Sequence, residues 1–115
     1  MQTPTAYKVL TADQMAMLER DARFAGAPID VADGYIHLST QAQLTETVDK
    51  HFAGQSDLWV AAVDLDAMGE AVKWEASRGG QLFPHLYAAL PLAAVFAYSP
   101  LERDEAGQVK LPVAG

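Results

Sequence analysis

The sequence predicts an α+β domain, on three observations. Helix signals come early and strand signals cluster later. The most apolar run, Asp57 to Leu65, has the length of a strand and reads as one buried on both faces. Two further segments, 35–39 and 82–87, set polar and aromatic residues at every second position, the period of a strand. At 115 residues the chain suffices for one core, so a single domain over 1–115 is expected. Its core should run from about 7 to 101, with a charged C-terminal tail over 102–115.

Taken in order, Tyr7 to Leu10 is a short strand, and Thr11 is placed to cap a helix with Asp13 and Gln14 in its first turn. Met15, Leu18 and Ala22 would face the core, with Glu19, Arg20 and Arg23 outward. Ala25-Gly26-Ala27-Pro28 ends that helix, and 25–33 reads as a loop closing in a turn at Asp33-Gly34. After strand 35–39, Ser39 or Thr40 caps a second helix reaching about His51, whose stripe is Leu44, Val48 and Phe52. Gly54 suits its stop. Ala67-Met68-Gly69 breaks the apolar strand, and Ala71 to Glu75 forms the next, closed by a tight turn at Arg78-Gly79-Gly80. Pro84 withholds a ladder bond, so 82–87 is expected at an edge or a bend. Leu92 to Tyr98 is a further strand, and a charged turn over 102–107 leads to a short edge strand at Gln108 to Leu111.

Composition excludes several classes. No run of about eighteen apolar residues is present, so no membrane span is expected. Met1 to Thr5 lacks the basic and apolar segments of a signal peptide. The absence of cysteine excludes disulfides, thiolate zinc sites and a cysteine nucleophile, and a cytoplasmic location fits. Eight Lys and Arg against fifteen Asp and Glu give a net charge of −7. The basic residues are scattered without a stripe, which argues against a nucleic-acid partner. Oligomeric state is not fixed by these features.

Candidate chemistry gathers around the histidines, whose imidazole is readily tuned near neutral pH. Tyr35, His37 and Ser39 share one strand face, with Ile36 and Leu38 on the other. That polar face can bind a ligand, or it can be a local device in which Ser39 starts the helix and His37 satisfies a carbonyl. Phe83, His85 and Tyr87 also share a face, suited to stacking a planar ring and equally to ordinary packing. Of Trp74 and Glu75, only one can face such a groove. Glu75 pointing in would orient a sugar hydroxyl or act as an acid or base, and pointing out would simply be solvated. His37, Glu75 and His85 are therefore the catalytic candidates, and Tyr35, Ser39, Trp74, Phe83 and Tyr87 the ligand-binding ones. His37, His51, His85 and Glu75 match no zinc spacing, and His51 at a helix end suits the dipole, so no metal site is expected. The serines lack a nucleophile elbow.

Asp33-Gly34-Tyr35-Ile36-His37-Leu38-Ser39-Thr40, His51-Phe52-Ala53-Gly54 with Asp57-Leu58, Lys73-Trp74-Glu75 and Phe83-Pro84-His85-Leu86-Tyr87 together resemble a bacterial family of short proteins, domain of unknown function 952. The likeness spans about residues 7 to 101. The family often has a Trp in its first helix, where this chain reads Gln14-Met15-Ala16-Met17. The family is in turn similar to the ADP-ribosyltransferase fold, above all to the C-terminal half of the RNA 2′-phosphotransferases, which use NAD. Ile36-His37-Leu38-Ser39, Val63-Asp64 with Met68, and Lys73-Trp74-Glu75 with Arg78-Gly79-Gly80 occupy similar places. The phosphotransferases depend on several arginines. This chain has Arg20, Arg23, Arg78 and Arg103, none in a matching motif. The resemblance implies an ADP-ribosyltransferase-like mixed, mostly antiparallel split sheet with two N-terminal helices and a nicotinamide-type groove. It implies a small-molecule nucleotide-type ligand, with NAD as ligand or substrate and no covalently bound cofactor. The function it implies is binding of NAD or an ADP-ribose-containing ligand, with ADP-ribosyl transfer as the attendant reaction. The alternative is a non-catalytic ligand- or protein-binding module on the same fold.

Overall fold

A computed structural model describes residues 5–76 and 80–112. Its first sheet has the order β1 (Thr5–Thr11), β4 (Leu58–Asp64), β8 (Val95–Pro100). β4 is central because it is apolar on both faces. Ala61 and Val63 pack with Ala6, Leu10, Met15 and Leu18, while Val60 and Ala62 pack with Tyr7, Val9, Leu44 and Val48. Each fully buried side chain of the larger kinds contributes roughly 1.5–3 kcal/mol.

Helix α1 (Ala12–Asp21) starts where expected: the Gln14 N–H donates to Thr11 Oγ1 at 3.2 Å, and the Thr11 N–H to Gln14 Oε1 at 3.0 Å. It buries Met15 and Leu18, whereas Ala22 lies beyond its end, exposed and left-handed. Helix α3 (Gln41–His51) is capped at Thr40, whose N–H donates to Gln43 Oε1 at 3.0 Å; it buries Leu44 and Val48 and half-buries Phe52. The expected loop over 25–33 is instead largely a short helix, α2 (Pro28–Asp33), so the described residues hold three α-helices where two were expected. Pro28 in the first turn has no N–H to lose. Gly34 ends the helix at φ 90°, a conformation that a Cβ would strain, and its N–H donates to the Asp30 carbonyl at 2.9 Å.

The second sheet has the order β3 (Ile36–His37), β6 (Leu82–Leu86), β5 (Val72–Ala76). β6 is thus internal, not the edge or bend that Pro84 suggested. The reason lies in which side lacks a donor. A strand residue points its N–H and C=O to the same side. The Pro84 carbonyl accepts from Leu38 N at 3.1 Å, so the absent N–H faces the end of β3 and leaves the β5 ladder intact. A two-stranded pair, β2 (Arg23–Phe24) with β7 (Leu90–Pro91), completes the fold. Every strand pairing among the described residues is antiparallel, which agrees with the mostly antiparallel character expected and supplies no parallel pair for a mixed sheet.

Several boundaries differ from expectation: the strand expected over 35–39 is β3 at Ile36–His37 alone, with Ser39 in an isolated bridge, and the first strand extends to Thr5–Thr11. Leu65–Ala71 and Leu92–Ala94 are 3-10 segments, so the last strand begins at Val95 rather than Leu92. Residues 108–111 form no strand; an isolated bridge pairs Arg103 with Val109. The turn expected at Arg78-Gly79-Gly80 lies outside the described residues except for Gly80.

The two larger sheets meet at one backbone bridge, where the Tyr7 N–H donates to Ser39 O at 2.7 Å and the Ser39 N–H to Tyr7 O at 2.9 Å. Beside this bridge, with α2, α3 and the start of α1 contributing walls, lies a cavity.

Candidate functional site

The cavity has a volume of about 570 Å³. Tyr35, His37, Ser39, Phe83 and His85 line it, together with Lys8, Asp30 and Asp33. β3 and β6 position the two histidines. His37 and His85 are directly paired across the ladder, which brings residues 48 apart in sequence into one wall. Their ring centroids are 5.7 Å apart. The Tyr35 ring stacks on His85 at 4.0 Å and lies 4.8 Å from His37.

Each imidazole is held by a carboxylate. Glu75 Oε1 lies 2.8 Å from His85 Nδ1 and accepts from the Tyr87 hydroxyl at 2.6 Å. Those two hydrogen bonds hold the Glu75 carboxyl below its ordinary value. The same bond pushes the Tyr87 hydroxyl up to about 12, with burial and the Glu75 charge adding to it. Tyr87 itself stands exposed at the rim, with the Lys73 ammonium 4.9 Å from its ring centre.

The second carboxylate is Asp30, only 1% exposed. It accepts from the Ala27 N–H at 2.8 Å and the His37 N–H at 3.1 Å, and lies 2.6 Å from His37 Nδ1. Lys8, also buried, donates to both oxygens at 3.0 and 3.3 Å. Burial alone would raise the Asp30 carboxyl. The His37 hydrogen bond, the Lys8 charge and the two backbone N–H groups outweigh it and hold the carboxyl well below the usual range. Burial lowers the Lys8 amine, and Asp30 opposes that shift. On its other side, His37 Nε2 lies 2.9 Å from Asp33 Oδ2.

Of the eight residues singled out by sequence, the structure places Tyr35, His37, Ser39, Phe83 and His85 along the cavity, with Glu75 and Tyr87 joined to it through His85 and Tyr35. Ser39 is buried, its Oγ 2.9 Å from Thr47 Oγ1. Trp74 is not brought to the site. Alternation along β5 turns it to the face opposite Glu75, where it is 48% exposed and absent from the cavity wall. Lys8, Asp30 and Asp33 were missed. Asp30 carried a weak local signal: an acid three residues after Ala27, just past a first-turn proline, is placed to accept the N–H that precedes a helix. His51, at the end of α3, also lines the cavity, and among the described residues no three His, Asp or Glu side chains converge as a metal site.

Comparison with known proteins assigns a family. Residues 9–98 match the model of a protein family of unknown function, DUF952, and the chain belongs to it. It is similar to protein CC0527 from Caulobacter crescentus. The crystal structure of that protein is 41% identical, with a TM-score of 0.85 over 93% of this chain and 94% of that one. Its solution NMR structure matches with a TM-score of 0.77 at 43% identity, over 91% and 90% of the two chains. No curated protein matches. No helix among the described residues is long and apolar enough to cross a membrane.

Proposed function

We propose that the cavity binds NAD or another ADP-ribose-containing nucleotide, and that the chain is a cytoplasmic protein on an ADP-ribosyltransferase-like fold whose attendant reaction is ADP-ribosyl transfer. One observation carries this reading: two carboxylate-held imidazoles meet around the Tyr35 ring at the wall of one cavity. Its volume of about 570 Å³ is within the usual range for a small-ligand or cofactor site. His37 would hold a ribose hydroxyl or the diphosphate, and Tyr35, Phe83 and His85 supply ring faces for a planar base. In the reaction the bond from ribose C1′ to nicotinamide breaks and its electron pair leaves with nicotinamide. An acceptor nucleophile attacks C1′ and gives up its proton, and Glu75, set behind His85, steadies through its charge the positive charge that develops on the sugar.

A second reading, a binding module without turnover, is favoured by the engagement of the carboxylates. Glu75 is bonded to His85 and Tyr87, and Asp30 to Lys8 and His37. Among the described residues, none lining the cavity is an arginine. Calorimetric titration with NAD, ADP-ribose and nicotinamide, run beside detection of nicotinamide released from NAD, separates the readings. Binding with release supports transfer, and binding without release supports the module. Failure of all three ligands to bind overturns both nucleotide readings.

A further inference from the structure

The split between the two large sheets and the orientation of His37 trace to one carboxylate. Tyr7 and Ser39 exchange both backbone bonds, so the N–H groups of Tyr7 and Ser39 point into the gap between β1 and β3. Two residues away, those of Val9 and His37 must point into the same gap. Continued pairing would give the His37 N–H to Val9. Instead Asp30 Oδ1 takes that N–H at 3.1 Å and, with the same atom, engages His37 Nδ1 at 2.6 Å. Asp30 Oδ2 is tied to Ala27 N and to Lys8, which rises from β1. The Asp30–Lys8 pair is therefore wedged where the two strands part, and it grips His37 by backbone and ring together.

We infer that Asp30 is the positioning residue of this site. It fixes the ring plane of His37 with the proton on Nδ1, and the Lys8 ammonium keeps its buried carboxylate charged. The Nε2 edge borders the cavity and faces Asp33, 45% exposed, whose carboxylate accepts from it whenever Nε2 also carries a proton. A carboxylate bridging a histidine's own N–H and its Nδ1 restricts both side-chain torsions, so the ring is set before a ligand arrives. The inference rests on the cavity being the ligand site proposed above, although its main test does not.

That test is nitrogen-15 NMR of the imidazole in the free protein, with His37 assigned by comparison with His37→Gln. The wild type should carry a proton on Nδ1. The double variant Lys8→Met/Asp30→Leu removes both charges together and leaves no buried charge unpaired. In it Nδ1 should lose its proton, leaving an Nε2–H that donates to Asp33, while the His85 signals stay in place. Asp33→Asn should leave the Nδ1 proton where it is. In titration of the double variant, NAD affinity should fall at least about tenfold. Retention of the Nδ1 proton in the double variant, or its absence in the wild type, overturns the inference, as does a loss of stability with the tautomer unchanged. If the double variant does not fold, the wild type alone decides: a downfield Nδ1–H proton resonance on His37, slow to exchange with water, is expected, and its absence overturns the inference. A wild type that ignores NAD but shows the Nδ1 signature overturns the proposed ligand and leaves Asp30 in its role.

Discussion

The two carboxylate–imidazole pairs are mirror images in burial. In the first, the Asp30 side chain is fully buried and His37 is 32% exposed. In the second, His85 is 3% exposed and Glu75 is 40% exposed. Both pairs use Nδ1, both imidazoles border the same cavity, and Tyr35 touches both rings. What differs is where the charge sits. A carboxylate taken out of water must be compensated by several partners, and Asp30 has Lys8, His37 and two backbone donors. Glu75 keeps contact with water, so its partners tune it more than they hold the fold.

The comparison breaks most visibly at Asp30. Asp30→Ala strands the Lys8 ammonium in the core, and removing one member of a buried pair costs about 3–5 kcal/mol. Chemical denaturation should show that loss, whereas Glu75→Gln should leave the unfolding midpoint almost where it was. Equal losses from the two changes would erase the distinction. Leu44→Ala supplies an apolar benchmark between them. Leu44 is 1% exposed against β1 and β4, and its truncation should cost roughly 2–4 kcal/mol in the same denaturation experiment.

Acid sharpens the contrast. The Asp30 carboxyl is depressed in the folded chain, so its stabilisation is complete above the ordinary carboxylate value of about 3.9 and is lost as pH falls below it toward the folded value. In that window the unfolded chain binds more protons, and stability must fall with falling pH. Denaturation at a series of acidic pH values should show the slope, and Asp30→Asn should flatten it. Glu75 is depressed in the same direction, yet it is the exposed member, so Glu75→Gln should change the slope less. The smallest effect on the fold belongs to Tyr87. Its hydroxyl should ionise near about 12 in an ultraviolet titration and return toward about 10 in Glu75→Gln, because the carboxylate that accepts its proton is gone.

The sequence was readable where a feature repeats locally. The twofold alternation in 35–39 and 82–87 marked the wall that carries His37, Phe83 and His85, and the unbroken apolar run marked β4. Thr11 announced α1 because both halves of its cap lie three residues apart. Lys8 and Asp30 were not readable as partners, since 22 residues separate them and no period links a strand to a six-residue helix. Lys8 looked like one of eight scattered cations, and Gly26 and Pro28, with Gly34 just beyond, gave 25–33 the look of a loop. Pro84 misled for a related reason: a proline reports a missing donor but not the side of the strand it is missing from.

The bridge between Tyr7 and Ser39 makes these two residues a paired reporter. Each donates its amide to the other, so any motion that parts the sheets at this point frees both amides at once. In native-state hydrogen exchange they should therefore open with a common free energy. The amide of Lys8, one residue along the chain, faces β4 in the ladder and belongs to a different opening. A nucleotide spanning the gap would slow Tyr7 and Ser39 together and leave the Lys8 rate unchanged, so exchange at these amides alone tells a ligand seated between the sheets from one bound elsewhere.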